Sequence, residues 1–230
     1  MSVDTPDQLE GLRSAGQVVA ATLRALGAAV RPGVTTSQLD QIAAEMFAAH
    51  RARSGPILTY GYPGSVCLSV EDEIVHGVPG ARRLRAGQLI TLDVAAELEG
   101  YHADAAITVA VGAVDPIRRR LIAAARAALR AGIDAAKPGA SLRDVGGAIE
   151  HEAESRGFHI VPNLNWPAPD ATLLLTPGLV FTIEPMIVAG SPRLKLEPDG
   201  WTVKTRDGSL SAHEEHTIMV AEDHALVLTA

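Results

Sequence analysis

The sequence predicts an α+β fold of two similar halves, in which paired helices cover one face of a curved antiparallel sheet. One strand pattern is used twice: Gly87 is followed six residues later by Asp93, and Gly178 six residues later by Glu184. A second pattern is also used twice. His102-Ala-Asp104-Ala-Ala-Ile-Thr-Val109 is echoed by His213-Glu-Glu215-His-Thr-Ile-Met-Val220, each with a His two before an acid, an Ile three after it and a Val five after it. The helical punctuation repeats as well. Leu23-Arg-Ala25 ahead of Arg31-Pro-Gly33 matches Leu129-Arg-Ala131 ahead of Lys137-Pro-Gly139, at an offset of 106 residues. These repeats predict a single domain, 1–230, with halves of about 1–112 and 113–230 related by a pseudo-twofold axis.

The elements follow in order. Asp4 or Thr5 can cap a first helix over residues 4–30, with Pro6 at its first position. Leu9, Leu12, Gly16, Val19, Leu23, Leu26 and Val30 give it one apolar stripe. Thr35, Thr36 or Ser37 caps a second helix that buries Leu39, Ile42, Met46 and Phe47. Pro56 to Tyr62 reads as loop, Val66 to Val70 as a strand, Glu71 to Glu73 as a turn and Ile74 to Pro79 as a short extended segment. Gln88 to Ala96 and Tyr101 to Val111 form a hairpin around Glu97-Leu-Glu-Gly100. Asp115-Pro116 starts a third helix with the stripe Ile117, Leu121, Ala124, Ala128 and Ile133, and Ser141 caps a fourth that runs to about Arg156. Gly157 to Val161 reads as a strand, and Asn163 to Thr176 begins irregularly because of its prolines. Leu179 to Met186, Trp201 to Thr205, His213 to Val220 and Ala225 to Leu228 complete the β content.

Composition narrows the class. The 230 residues are 47% hydrophobic and 20% charged, the profile of a globular protein with a sizeable core. A net charge of −7 argues against general nucleic-acid binding, which needs clustered Lys and Arg. The run Arg118-Arg-Arg120 reads as a solvated helix face. A single cysteine, Cys67, forbids an internal disulfide and fits a reducing compartment. The start Met1-Ser-Val-Asp-Thr-Pro shows no signal peptide, and no apolar run is long enough to span a membrane.

The acids carry the chemistry. Period two places Thr91, Asp93 and Ala95 on one strand face and Leu92 and Val94 on the other. The same rule sets Glu184 beside Thr182 and away from Ile183. A lone acid at a strand end is ordinarily a surface ion pair. Four in duplicated positions, Asp93, Asp104, Glu184 and Glu215, converge on one place and need cations there. Two divalent ions about 3.5–4 Å apart make water nucleophilic at neutral pH and polarise a carbonyl, so metal-assisted hydrolysis is the expected reaction class. Oxygen-rich ligands favour Mn or Mg and admit Co or Fe where an imidazole joins.

Several segments resemble the type I methionine aminopeptidases, the pita-bread metallopeptidases. They are Gly61-Tyr-Pro-Gly-Ser-Val-Cys67, Glu73-Ile-Val-His-Gly-Val-Pro79, Leu92-Asp93, Tyr101-His-Ala-Asp104, Phe181-Thr-Ile-Glu-Pro-Met186, Asp199-Gly-Trp-Thr-Val203 and Ser209-Leu-Ser211 leading to Glu215-His-Thr217. The resemblance implies the pita-bread (creatinase/aminopeptidase) fold. It also implies a metal-dependent aminopeptidase that removes N-terminal methionine from nascent proteins with metal-activated water. It places Asp93, Asp104 and Glu215 around one ion, and Asp104, Glu184, Glu215 and a histidine around the other. It puts His76 at the scissile bond as the catalytic residue, and Tyr62, Cys67 and Trp201 around the methionine side chain. It further implies two divalent ions (Mn, Co or Fe, with Mg also admissible), a peptide or nascent-protein N-terminus as partner, no nucleic-acid contact beyond proximity to the ribosome, no membrane, a monomer and a cytoplasmic location.

One departure is marked. Family members carry a Gly-His-Gly-Ile-Gly segment and then a Phe-His-Glu-Glu-Pro-type run. Here the region reads Arg156-Gly-Phe-His-Ile-Val-Pro-Asn-Leu-Asn-Trp-Pro-Ala-Pro-Asp170, with a shorter connection to Gly178. The two histidines of those segments, one an imidazole metal ligand, have no counterpart. Trp166 falls near the ligand position and cannot serve; His159 is the nearest candidate replacement. His102 and His213 read as capping or solvent-facing residues with an alternative role beside the acids, and His50, His151 and His224 as surface residues. The departure keeps an alternative open: a pita-bread protein of impaired catalysis that binds a peptide or partner, or that acts on a different small substrate.

Overall fold

The structure, a computed structural model, describes residues 2–161 and 173–230. Helix α1 (Pro6–Ala29) starts at a capping box of Thr5 and Gln8, and α2 (Thr36–His50) at the same device built from Thr35 and Gln38. Each box satisfies backbone N–H groups that a helix start leaves free. Strand β1 (Arg53–Ser54) leads into α3 (Gly55–Tyr60). The latter corrects the loop expected from Pro56 to Tyr62. The Ser54 hydroxyl accepts from the Ile57 N–H, Pro56 fits the first turn, and Gly61 ends the helix at φ 67°.

Strands β2 (Cys67–Val70) and β3 (Glu73–Val75) precede the long hairpin of β4 (Leu89–Leu98) and β5 (Tyr101–Ala110). The hairpin turns on two residues, Glu99 and Gly100, at φ 52° and 89°, and not on the four expected. Positive φ at both positions matches the twist of the strands. Glu97 therefore stays in register with His102, and its carboxylate accepts from the Gly100 N–H.

The helix pair returns as α4 (Pro116–Ala135), capped by Asp115, and α5 (Leu142–Ser155), capped by a box of Ser141 and Asp144. The α4 stripe differs from expectation. Ile117 is exposed, and Leu121, Ala124, Ala125, Ala128 and Leu129 are buried. Arg118 is not a solvated residue; half-buried, it bonds Glu71 and Asp115.

The remaining strands are β6 (His159–Ile160), β7 (Val180–Ile183), β8 (Met186–Val188), β9 (Leu194–Leu196), β10 (Val203–Thr205), β11 (Ser211–His213), β12 (Glu215–Val220) and β13 (Ala225–Val227). Two expected strands are each broken. Leu179 to Met186 divides at Glu184-Pro185, and His213 to Val220 divides at Glu214. Pro185 has no N–H to give a ladder. At both breaks the chain leaves one sheet for another. The irregular start expected at Asn163 and the position of Trp166 lie outside the described residues.

Among the described residues the main sheet has seven strands, ordered β1-β4-β5-β12-β13, with β2 paired to β4 and β7 to β12. Two three-stranded sheets, β3-β10-β9 and β11-β8-β6, adjoin it. The pairings are antiparallel. Leu92 and Val94 of β4 pack with Val19 and Leu26 of α1 in one core cluster; Ile183 of β7 and Ile218 of β12 pack with Leu121 of α4 and Ile149 of α5 in another. Residues of the opposite parity on those strands face a cavity.

Candidate metal centre

Strand register lines up the acids. Cys67 is opposite Asp93, Asp93 opposite Ala106, and Ala106 opposite Glu215 on its other side. Directly paired residues share a face, so these four side chains form one row across four strands. Ala106 is the small member, which leaves room between the carboxylates flanking it. Asp104 lies two residues from Ala106 on that face. Glu184 lies one residue beyond the last pair of the β12–β7 ladder, His216 with Ile183, and so ends the row next to Glu215. The Thr182 hydroxyl donates to the Glu184 carboxylate at 3.3 Å, as alternation requires. The Asp104 N–H donates to Thr217 Oγ1 at 2.9 Å, and that hydroxyl donates back to the Asp104 carbonyl at 2.8 Å, clamping β5 to β12.

Two groups of donor atoms result. Asp93, Asp104 and Glu215 offer ligand atoms all within 4.8 Å of one another, and so do Glu184, His213 and Glu215. Glu215 belongs to both. Burial pushes all four carboxyls up, and repulsion from neighbouring carboxylates adds to it at Asp93, Asp104 and Glu215: Asp93 rises to about 7, Asp104 and Glu215 well above the usual carboxylate range, and Glu184 above its ordinary value. The charges acting on them are one another's. Asp104 Oδ1 is buried with no hydrogen-bond partner among the described residues. An orphaned carboxylate oxygen inside a cluster of like charges fits a divalent cation, and the oxygen-rich donor set suits the hard ions expected.

The row opens into a cavity of about 620 Å³. Tyr62, Cys67, His76, Asp93, Asp104, Glu184, Trp201 and Glu215 all line it. Tyr62 and Trp201 meet edge to face, with ring centres 5.2 Å apart, and the buried Tyr62 hydroxyl donates to the Gly77 carbonyl at 2.8 Å. His76 sits at φ 56°, in the left-handed region that a non-glycine residue occupies at some cost. Its neighbour must be glycine, because a Cβ on Gly77 would lie 2.4 Å from the Leu68 carbonyl oxygen. Partial burial lowers the His76 pKa, which favours the neutral ring. The Cys67 thiol is buried and pushed well above its ordinary pKa by burial and by Asp93, so it stays protonated and is no nucleophile.

Two histidine expectations change. His159 is exposed on β6 opposite Val188, and joins neither donor group nor the cavity lining among the described residues. A strand of two residues paired to β8 holds it away from the acids. His213, read as capping or solvent-facing, is 1% exposed, with Nε2 at 3.6 Å from Glu215 and 3.9 Å from Glu184. Period two was the available signal, since it puts His213 and Glu215 on one face. Burial lowers the His213 pKa to about 3 and keeps the ring neutral. His102, His50, His151 and His224 are exposed.

An α+β frame that sets four acids and an imidazole on the floor of one cavity defines a metal-dependent hydrolase. The model of metallopeptidase family M24 matches residues 10–222. Methionine aminopeptidase A of Synechocystis sp. is 41% identical over 239 residues, covering 96% of this chain and 94% of that protein. Methionine aminopeptidase 1 of Bacillus subtilis is 38% identical, covering 98% and 97%. The crystal structure of methionine aminopeptidase from Rickettsia prowazekii superposes with a TM-score of 0.94 at 34% identity, covering 100% of both chains. The chain belongs to metallopeptidase family M24, on its methionine aminopeptidase branch. The pita-bread fold expected from the sequence is the fold observed.

Proposed function

We propose that this chain is an aminopeptidase that removes methionine from the N-termini of peptides and nascent proteins, with Asp93, Asp104, Glu184 and Glu215 holding two divalent ions. The observation that carries this reading is the single row of acids, shared through Glu215, on the floor of a cavity lined by Tyr62, Cys67, His76 and Trp201. When bound, such ions supply a nucleophilic water at neutral pH and polarise the scissile carbonyl. Mn, Co or Fe are the ions proposed, with Mg also admissible.

The chain's own groups do the rest. Tyr62, Cys67 and Trp201 form a wall of low polarity, which suits an unbranched thioether side chain. The neutral His76 ring faces the cavity and can hydrogen-bond the scissile peptide. Its backbone is pinned by the flanking Gly77 contact and by Thr202 Oγ1, which donates to the His76 carbonyl at 3.3 Å. We also propose the division into halves near residue 112, supported by the two separate core clusters. A purely binding or repurposed protein is not favoured, because all four acids and His76 remain around one cavity.

The test is release of free methionine from a Met-Ala-Ser peptide by metal-stripped protein reloaded with Mn, Co or Fe. Turnover should require metal and fall by at least about 10²-fold in Asp104→Asn. A folded protein that takes up metal and turns over nothing would sink the reading.

A further inference from the structure

We infer that His213 is a direct metal ligand of this centre, completing a three-residue group with Glu184 and Glu215. This rests on the proposal that the acids hold divalent ions, and adds to it the source of the imidazole.

The ring is buried, and neither Nδ1 nor Nε2 has a hydrogen-bond partner among the described residues. Leaving a buried polar group unsatisfied is costly, so a ring held this way is either strained or meant for a ligand. The spacing favours the ligand. Nε2 stands 3.6 Å from Glu215 Oε2 and 3.9 Å from Glu184 Oε2, too far for hydrogen bonds to either. Ligand atoms each about 2.0–2.2 Å from one ion stand roughly 3–3.6 Å apart, close to what is observed.

The position is built by backbone. His213 ends β11 opposite Met186, two residues past Glu184. Its N–H donates to Thr108 Oγ1 at 2.8 Å, and the same hydroxyl donates to the His213 carbonyl at 2.9 Å. Thr108 is opposite Thr91, and their hydroxyls bond at 2.9 Å. The row Thr91–Thr108–His213 therefore lies next to the row Asp93–Ala106–Glu215, on the same face. Glu214, between the two site residues, points the other way and pairs with Arg126 of α4 at 3.3 Å. The break between β11 and β12 thus leaves His213 and Glu215 side by side.

The experiment titrates metal-free protein with Co(II), followed by calorimetry and by visible and near-ultraviolet absorption. Wild type should take up two ions. His213→Gln should take up one with near wild-type affinity and bind the second at least about tenfold more weakly. His213→Cys should show a thiolate-to-Co(II) charge-transfer band that wild type lacks; this band appears only on direct ligation and so excludes a positioning role. His159→Gln should match wild type. Should the Gln variant fail to fold, the Cys band decides. Two ions of unchanged affinity in His213→Gln, or a folded His213→Cys with no band, would overturn the inference while leaving the aminopeptidase proposal intact. Two ions lost to one in His213→Gln, from a wild type without turnover, would uphold it while the aminopeptidase proposal falls.

Discussion

At the scale of the residue, the four carboxylates are costly neighbours until a cation joins them. Asp93 shows the sign. Its pKa is raised from 3.8 to about 7 by burial and by Glu184, so the folded, metal-free protein binds a proton there more tightly than the unfolded chain does. Such a group destabilises the fold progressively as pH rises through that window, and fully above it. Asp93→Asn should therefore raise the melting temperature of the metal-free protein at pH 8 while abolishing turnover. Thermal unfolding in chelator reads the first effect and peptide hydrolysis the second; an unchanged or lower melting temperature would refute the account. The acids were legible because a repeated pattern marks residues that do the same job. His213 was legible only in part: alternation puts it on the face of Glu215 and leaves open a role beside the acids, but its burial is a property of the assembled sheets. Glu215, two residues on, is marked by the echo of Asp104.

At the scale of the element, capping chemistry is local and was legible, and close approach is long-range and was not. Thr5, Thr35, Asp115 and Ser141 all cap the helices that the sequence assigned to them. Pro185 carried the signal for the break after Glu184, although an apolar run on both sides reads as one strand. Helix α1 separates the two kinds of information in one element. Gly16 lies on its buried stripe, and a Cβ there would come within 1.9 Å of the Leu228 carbonyl oxygen, which is backbone and cannot swing away. Gly27 lies on the same helix, and a Cβ there would meet nothing within 4 Å. Gly16→Ala should cost about 2–3 kcal/mol through overpacking. Gly27→Ala should instead stabilise by about 0.5–1 kcal/mol, because alanine loses less backbone entropy in a helix. Paired urea denaturation curves check both signs, and equal shifts would show that the packing of α1 on the C-terminal segment is looser than described.

At the scale of the whole molecule, the proposed metal centre lies between two cores. Asp93 and Asp104 stand on β4 and β5, whose other face packs into the cluster of α1 and α2. Glu184 and Glu215 adjoin strands whose other face packs into the cluster of α4 and α5. Ions held as proposed, with Glu215 shared between them, would link both cores, and loading should shift one cooperative unfolding transition as a unit. A ligand that binds only the native state adds about 2.7 kcal/mol at a free concentration 100 times its dissociation constant. The pH dependence separates this linkage from generic stabilisation. Without metal, the raised carboxyl pKa values make stability fall as pH climbs from the ordinary carboxylate value of 3.8 towards about 7. With metal the same carboxyls must be ionised to bind, so affinity rises over that range. The gap in melting temperature between loaded and stripped protein should accordingly widen steadily from about pH 5.5 to about pH 8. Asp93→Asn should flatten the stripped-protein curve, because it removes a titrating member of the cluster without altering either core. A gap that stays constant with pH would mean that the ions bind away from these four acids.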